Sequence, residues 1–241
     1  MPERSALTLT LHAPSASGGH RFGINAVGSC AETGDLYTAG RDGTVRCWSG
    51  ASAGAAETEA WAFEAHADWV NDLCVLRRGV VATASSDCTV RLHTDFSDAS
   101  KNTPNILGRH DDYAKGLAYA SEGGLLASAG FDRRLLLWDV HRFEHGKFAP
   151  VAASEGGHTD SIYALHTNAA GTMLATGSVD TDVRLWDPRD LSTSLRLRGH
   201  SDVVRCVRLL SDGVRVLSCG SDSTIRVWHI GERRCEMVRS A

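Results

Sequence analysis

The chain has no Cys-X-X-Cys pair, because its seven cysteines (Cys30, Cys47, Cys74, Cys88, Cys206, Cys219 and Cys235) stand singly. Paired zinc clamps and thioredoxin-like redox motifs are thereby excluded. Cys47, Cys74, Cys206 and Cys219 fall inside apolar runs, where cysteine serves as a small hydrophobe. The N-terminus lacks a continuous apolar stretch of the secretory kind, since Leu7, Leu9 and Leu11 alternate with Thr and His. With an odd cysteine count, this favours a reducing compartment, cytoplasmic or nuclear or both. No run approaches the roughly 18–20 apolar residues of a membrane helix, so no membrane partner is expected. An excess of one charge is also missing: 25 Lys and Arg against 29 Asp and Glu leave a net charge of −4. Nucleic-acid binding through bulk charge is therefore not expected. No Gly-rich phosphate loop precedes a helix, no apolar 3.6-residue period is sustained, and no cofactor or small-molecule substrate is indicated.

What is present is a repeat. Five times a His is followed 21 or 22 residues later by an Asp, with a hydroxyl four residues before that Asp and an aromatic ring six residues after it. The sets are His20–Thr38–Asp42–Trp48, His66–Thr83–Asp87–His93, His110–Ser128–Asp132–Trp138, His158–Thr176–Asp180–Trp186 and His200–Ser218–Asp222–Trp228. The last members are 45, 45, 48 and 42 residues apart. A fixed period in this range means one supersecondary unit used repeatedly. The units cover about 19–48, 61–93, 105–139, 155–187 and 197–229, with 230–241 starting a further one and 1–18 forming an N-terminal segment.

Each unit holds three short β-like runs joined by Gly- and Asp-rich turns. In the fifth they are Val203–Leu210, Val214–Cys219 and Thr224–His229. A fourth strand fits the stretch leading into the next His, such as Ser194–Leu197, and Arg233–Ala241 would play that part for the fifth unit. Leu7–Leu11 reads as an extra outer strand. Ala51–Glu59, Thr94–Pro104 and His141–Gly157 break the period and read as surface loops.

The recurring polar set has a structural rationale. An Asp in the turn between the second and third strands accepts from backbone N–H groups and from the His, the His engages the Ser/Thr hydroxyl, and the hydroxyl meets the indole N–H. Each bond nets roughly 1 kcal/mol, and an orphaned buried member costs roughly 1–3 kcal/mol. A catalytic Ser/His/Asp arrangement would need one unusual copy rather than five equal ones, so no enzyme activity is expected. Asp68, Asp112, Asp160 and Asp202, two residues after four of the His residues, repeat in the same way and read as turn residues. In the second set His93 stands where the others have Trp. Loss of the indole donor and of apolar area predicts a weakened unit that His93→Trp would stabilise. His141 and His145 have HxxxH spacing without a third ligand, so no metal is assigned.

These sets resemble the WD-repeat β-propeller family, over about Gly19 to Cys235. The resemblance implies an all-β fold of five four-stranded blades, and, since the family's propellers carry further blades, an incomplete, open propeller. More specific strings are similar to the WD-repeat activators of ubiquitin-specific proteases: Ala39-Gly40-Arg41-Asp42, His66-Ala67-Asp68-Trp69-Val70-Asn71-Asp72, Gly116-Leu117-Ala118-Tyr119-Ala120, Ala127-Ser128-Ala129-Gly130, Asp160-Ser161-Ile162-Tyr163, Arg184-Leu185-Trp186-Asp187-Pro188-Arg189, Ser221-Asp222-Ser223-Thr224-Ile225-Arg226 and Gly231-Glu232-Arg233-Arg234-Cys235. Blade geometry does not demand Asp-Trp-Val-Asn-Asp or Trp-Asp-Pro-Arg. This resemblance implies a scaffold without a catalytic site that binds and activates a ubiquitin-specific protease, in the nucleus with a link to DNA repair. The other reading is a general WD-repeat adaptor, for example a substrate receptor in a ubiquitin ligase.

In such propellers the top face carries partner contacts, and three positions per blade point there: three and five residues after the His, and one before the Asp. Aromatic residues and Arg are the usual anchors of interfaces. Asn25, Arg41, Trp69, Asn71, Tyr113, Lys115, Phe131, Tyr163 and Arg205 are the candidate contact residues. Arg205 matches a basic position that the protease-activating family uses against its enzyme; the aromatic residue expected beside it from a following blade would lie beyond Ala241.

Overall fold

A computed structural model describes residues 19–49, 58–77, 80–94, 105–145, 148–154 and 156–240. They form five antiparallel four-stranded meanders. The first contains β1 (Ile24–Ser29), β2 (Leu36–Gly40), β3 (Thr44–Ser49) and β4 (Thr58–Glu64), and the second β5 (Val70–Arg77), β6 (Val80–Ser85), β7 (Thr89–Thr94) and β8 (Asn105–Arg109). The third contains β9 (Ala114–Ala120), β10 (Leu125–Gly130), β11 (Leu135–Asp139) and β12 (Ala152–Ala153). The fourth contains β13 (Ile162–Thr167), β14 (Leu174–Ser178), β15 (Val183–Asp187) and β16 (Asp190–Leu197), and the fifth β17 (Val204–Leu209), β18 (Arg215–Gly220), β19 (Thr224–His229) and β20 (Arg234–Ser240).

Short inner strands such as β2, β6, β10 and β14, rich in Ala, Val and Leu and buried on both sides, explain why the sheets stack rather than lie on water. The first strands β1, β5, β9, β13 and β17 pack one against the next. Four apolar cores fill the four gaps between sheets. Val45, Val70 and Leu73 lie in the first, Val90, Leu117 and Leu126 in the second, Leu135, Ile162 and Leu174 in the third, and Val183, Val204 and Val216 in the fourth. Among the described residues β17 and β1 share no such core, so the array of blades is open. Val27 on β1 is 61% exposed and Ile225 on β19 is 40% exposed as a result.

Two expectations change on contact with the structure. His141–Gly157 is not a bare loop, because it carries a single 3₁₀ turn at Val140–His145 and then β12, the outer strand of the third sheet. The fourth strand expected for the fifth unit is present as β20, which pairs with β19. Cys206 and Cys219 are not core hydrophobes: the fourth core is built from Val204, Val207 and Val216, and the two thiols lie on the opposite face of their strands. Leu7–Leu11 and most of the first two loops lie outside the described residues.

Every blade makes the β2–β3-type turn in the same way. The residue after the recurring Asp is left-handed: Gly43 (φ 76°), Cys88 (66°), Arg133 (69°), Thr181 (70°) and Ser223 (59°). Only the first is glycine, so four blades hold an ordinary side chain where it is disfavoured. The Asp stabilises the turn by accepting the N–H two residues on, as with Thr44 to Asp42 at 3.1 Å and Asp182 to Asp180 at 3.0 Å.

Candidate functional site

The polar relays fix which residues are not available for recognition. His Nδ1 lies 2.8–3.0 Å from the Asp carboxylate in all five blades. The His side chains are 0–3% exposed and the Asp side chains 3–12%. A carboxylate only accepts, so Nδ1 carries the proton and donates. The other ring nitrogen then accepts from the hydroxyl of Thr38, Thr83, Ser128, Thr176 or Ser218 at 2.7–2.8 Å. Trp48, Trp186 and Trp228 donate to that same hydroxyl at 2.8–2.9 Å, closing the chain.

The carboxylates respond to this network. Burial pushes the Asp42 carboxyl up, but hydrogen bonds from Thr44, His20 and backbone N–H groups outweigh it and hold it down to about 2. Asp87, Asp132, Asp180 and Asp222 are also lowered, with burial opposed and overcome by the same kinds of bond. Asp68, Asp112, Asp160 and Asp202 accept the N–H of the following residue at 2.6–2.7 Å, which is turn chemistry.

Two blades depart from the expected relay. Trp138 does not reach Ser128: its indole donates to the Leu107 carbonyl on β8 at 3.2 Å. In the fourth and fifth blades a glycine directly precedes the His (Gly157, Gly199) and lies beneath the Trp ring. In the third blade Arg109 takes that place and the glycine under the ring is Gly108, one residue earlier. The indole follows the glycine and its N–H changes partner.

His93 supplies a donor in place of the indole N–H that the sequence alone suggested this blade lacks. Its Nε2 sits 2.8 Å from Thr83 Oγ1, and the ring is fully buried. The hydroxyl proton of Thr83 goes to His66, so His93 must donate through Nε2–H, which leaves Nδ1 as a buried acceptor with no partner. The cost in this blade is that orphan nitrogen, not a missing donor. Burial, with repulsion from His66 and Arg91, takes the His93 ring down to about 3.

The candidate contact residues occupy three structural positions. Asn25, Asn71, Lys115, Tyr163 and Arg205 are each the extra residue of a β-bulge between the first and second strands of their blade. A bulge leaves one residue unpaired and re-aims its side chain. All five therefore converge on one open cavity of about 350 Å3 with Asp72 and Arg208 in its wall. The other two positions in each blade are tied together: the residue before the Asp donates its N–H to the carbonyl three residues after the His, as in Arg41 to Gly23, Ser86 to Trp69 and Phe131 to Tyr113, each 2.9 Å.

Not all nine are free for a partner. The Asn25 amide donates to the Val70 carbonyl and the Asn71 amide to the Ala114 carbonyl, both at 2.9 Å. These bonds bridge the first blade to the second and the second to the third. Asp72 does the same, accepting from Leu117 N–H at 2.8 Å. Burial raises its carboxyl to about 6, against the pull of the Leu117 and Leu73 N–H groups, Lys115 and Arg208. This bridge has one signal in the sequence, a carboxylate at an inward strand position where the other blades carry Ala, Gly or Cys.

The remaining residues form the rim. Arg41 lies over the Trp69 ring at 4.9 Å and is anchored to Asn25 Oδ1 at 3.2 Å. Tyr113, Phe131 and Tyr163 run in line with centroid spacings of 5.8 and 4.9 Å. Arg205 continues the line, 4.7 Å over the Tyr163 ring and bonded to Ser221 Oγ at 2.9 Å. Trp69 is 48% and Tyr113 44% exposed. Burial, then repulsion by Arg205 and Arg41, lowers Lys115 in spite of Asp72. Cationic and aromatic groups thus share one surface on a chain of negative net charge. A second cleft, about 450 Å3 and lined by Met173, Trp186 and Ile230, sits at the other end of the blades and holds none of the nine.

Among the described residues no cluster of three or more His, Cys, Asp or Glu is arranged to hold a metal ion, and no helix is long and apolar enough to cross a membrane. The WD domain, G-beta repeat, family matches the chain five times, over residues 11–49, 58–94, 102–139, 151–187 and 191–229. Its five matches coincide with the five relays, and the chain belongs to the WD-repeat family.

Proposed function

We propose that this protein-interaction scaffold uses its rim to bind and activate a ubiquitin-specific protease. WD-repeat domains present surfaces for other proteins, and the repeated polar sets here are turned inward, which leaves recognition to residues that differ from blade to blade. The observation that carries the reading is the rim itself: Arg41 on Trp69, and Arg205 on the Tyr113–Phe131–Tyr163 line, pre-oriented by stacking and by one side-chain bond each. Rigid aromatic and Arg groups lose little freedom on binding and act as anchors. The resemblance of the Asp68–Asp72 and Trp186–Arg189 strings to protease-activating WD-repeat proteins names the partner class.

The test is a pull-down with ubiquitin-specific protease catalytic domains, followed by a ubiquitin-release assay. Arg205→Glu should reduce binding at least about tenfold, as expected for loss of an interface anchor of ~1.4 kcal/mol or more. Its far-UV circular dichroism should not change, because Arg205 is exposed and in no core. Undiminished binding would remove Arg205 from the site. Binding of other proteins at the same rim, with no protease of this class captured, would favour the general adaptor.

A further inference from the structure

In every blade one residue pair directly follows the bulge, facing across the first two strands: Ala26–Ala39, Asp72–Ala84, Gly116–Ala129, Ala164–Gly177 and Cys206–Cys219. The first four pairs contain at least one Ala or Gly, as the close packing of the next blade requires. The fifth is two cysteines, both free thiols and both partly exposed. Directly opposed residues on antiparallel strands have Cα atoms about 4.5 or 5.5 Å apart, and both values fall in the roughly 4.4–6.8 Å range that a disulfide spans. Their Cβ atoms, about 4.5–5.5 Å apart in such pairs, must close slightly to reach the disulfide spacing of about 3.5–4.5 Å. The bond is therefore reachable but strained, which makes it readily reduced.

Their surroundings fit the same use. Val204, Val207 and Val216 point into the core shared with the fourth blade, whereas Cys206 and Cys219 alternate to the other face, beside Leu217 and the exposed Ile225. Among the described residues nothing covers that face. Cys206 also lines the open cavity beside Arg205. Cys219 is raised above the usual thiol range by burial and by the neighbouring Cys206.

We infer that Cys206 and Cys219 form a redox modification site, a dithiol that a peroxide converts to a reversible cross-strand disulfide. The Cys206 thiol releases its proton, the thiolate sulfur attacks one peroxide oxygen, the O–O bond breaks, and the departing hydroxide takes up that proton and leaves as water. The Cys219 sulfur then attacks the resulting sulfenic sulfur, the S–S bond forms, the S–O bond breaks, and the departing hydroxide takes the Cys219 proton as a second water. Two thiols lose two electrons and two protons, and the peroxide is reduced to two waters.

The experiment is peroxide treatment of the folded 241-residue chain, thiol alkylation and tryptic mass spectrometry. The expected product joins Cys206–Arg208 to Val216–Arg226 and weighs two hydrogen atoms less than the two peptides together. It should exceed every other cysteine pairing and vanish on dithiothreitol treatment. In Cys219→Ala, Cys206 should instead accumulate as sulfenic acid and label with dimedone. Separate alkylation of both cysteines, after peroxide sufficient to oxidise Cys206, overturns the inference. So does onward oxidation of Cys206 to sulfinic acid in the unmodified chain without the linked peptide. Near-UV circular dichroism before and after treatment keeps each result tied to the folded protein.

Discussion

Mild acid should destabilise this protein more steeply than its carboxylates alone would allow. His93 is held at about 3 by complete burial, with His66 and Arg91 nearby, and His166 at about 4 by burial and Arg208. An unfolded His takes up its proton near 6.5. Both folded values are lowered, so the stability they contribute is complete above pH 6.5 and is lost as the pH falls toward 4 and 3. At 1.36 kcal/mol per unit, each ring lowers stability by about 2 kcal/mol at pH 5 relative to neutral pH. Asp72 works the other way. Its raised carboxyl, about 6, takes up a proton in the folded chain first, and this returns about 1 kcal/mol at pH 5. The balance is a loss of about 2–3 kcal/mol between pH 7 and pH 5, before His66 and His200, also lowered by burial, add in the same direction. The assay is urea denaturation at half-unit intervals of pH. His93→Gln keeps an N–H for Thr83 and removes the titrating ring. Its pH slope over this window should shrink by about 2 kcal/mol, whatever its stability at pH 7. An unchanged slope would refute a buried, neutral His93.

Three further outcomes follow from the same geometry. Ala65 stands where the fourth and fifth blades have Gly157 and Gly199, and a Cβ there would come within 2.2 and 3.0 Å of the Trp ring. His93→Trp alone should therefore overpack against Ala65 at a cost of ~1–3 kcal/mol, while Ala65→Gly with His93→Trp recovers most of it; additive effects in the double-mutant cycle would contradict this. Thr181 is a β-branched residue at φ 70°, so Thr181→Gly should stabilise by up to about 1 kcal/mol, read as a melting point higher by about 2–4 °C; no rise would count against the strain. Below pH 4 a second loss should appear as the lowered carboxyls, Asp42 at about 2 among them, are protonated; Asp180→Asn should reduce that loss while lowering stability at pH 7.

The blades were legible because their signals are local or strictly periodic. Alternating Val, Leu and Ala runs mark strands, and the His-to-Asp interval of 21 or 22 residues spans one hairpin pair, so the sequence contains both ends of each relay. Contacts between repeats account for part of what was not legible. Asn25 reaches Val70 and Asn71 reaches Ala114, 45 and 43 residues away, and nothing in either strand's own pattern announces the reach. The bulges that aim Lys115, Tyr163 and Arg205 are backbone events with no residue type of their own. Trp138 follows a glycine displaced by one position, a change visible in the sequence but interpretable only once glycine is known to lie under the ring. His93 was legible as a departure, but its tautomer depends on where the proton of Thr83 goes.

The central claim is that the five polar sets are internal struts, leaving recognition to residues that vary. Long-range proton–nitrogen correlation of the histidine rings tests it most directly. His20, His66, His110, His158 and His200 should each appear as a single Nδ1–H tautomer with a slowly exchanging proton, and His93 as the opposite tautomer. Rings that average between tautomers and exchange with water at the rate of free histidine would contradict it.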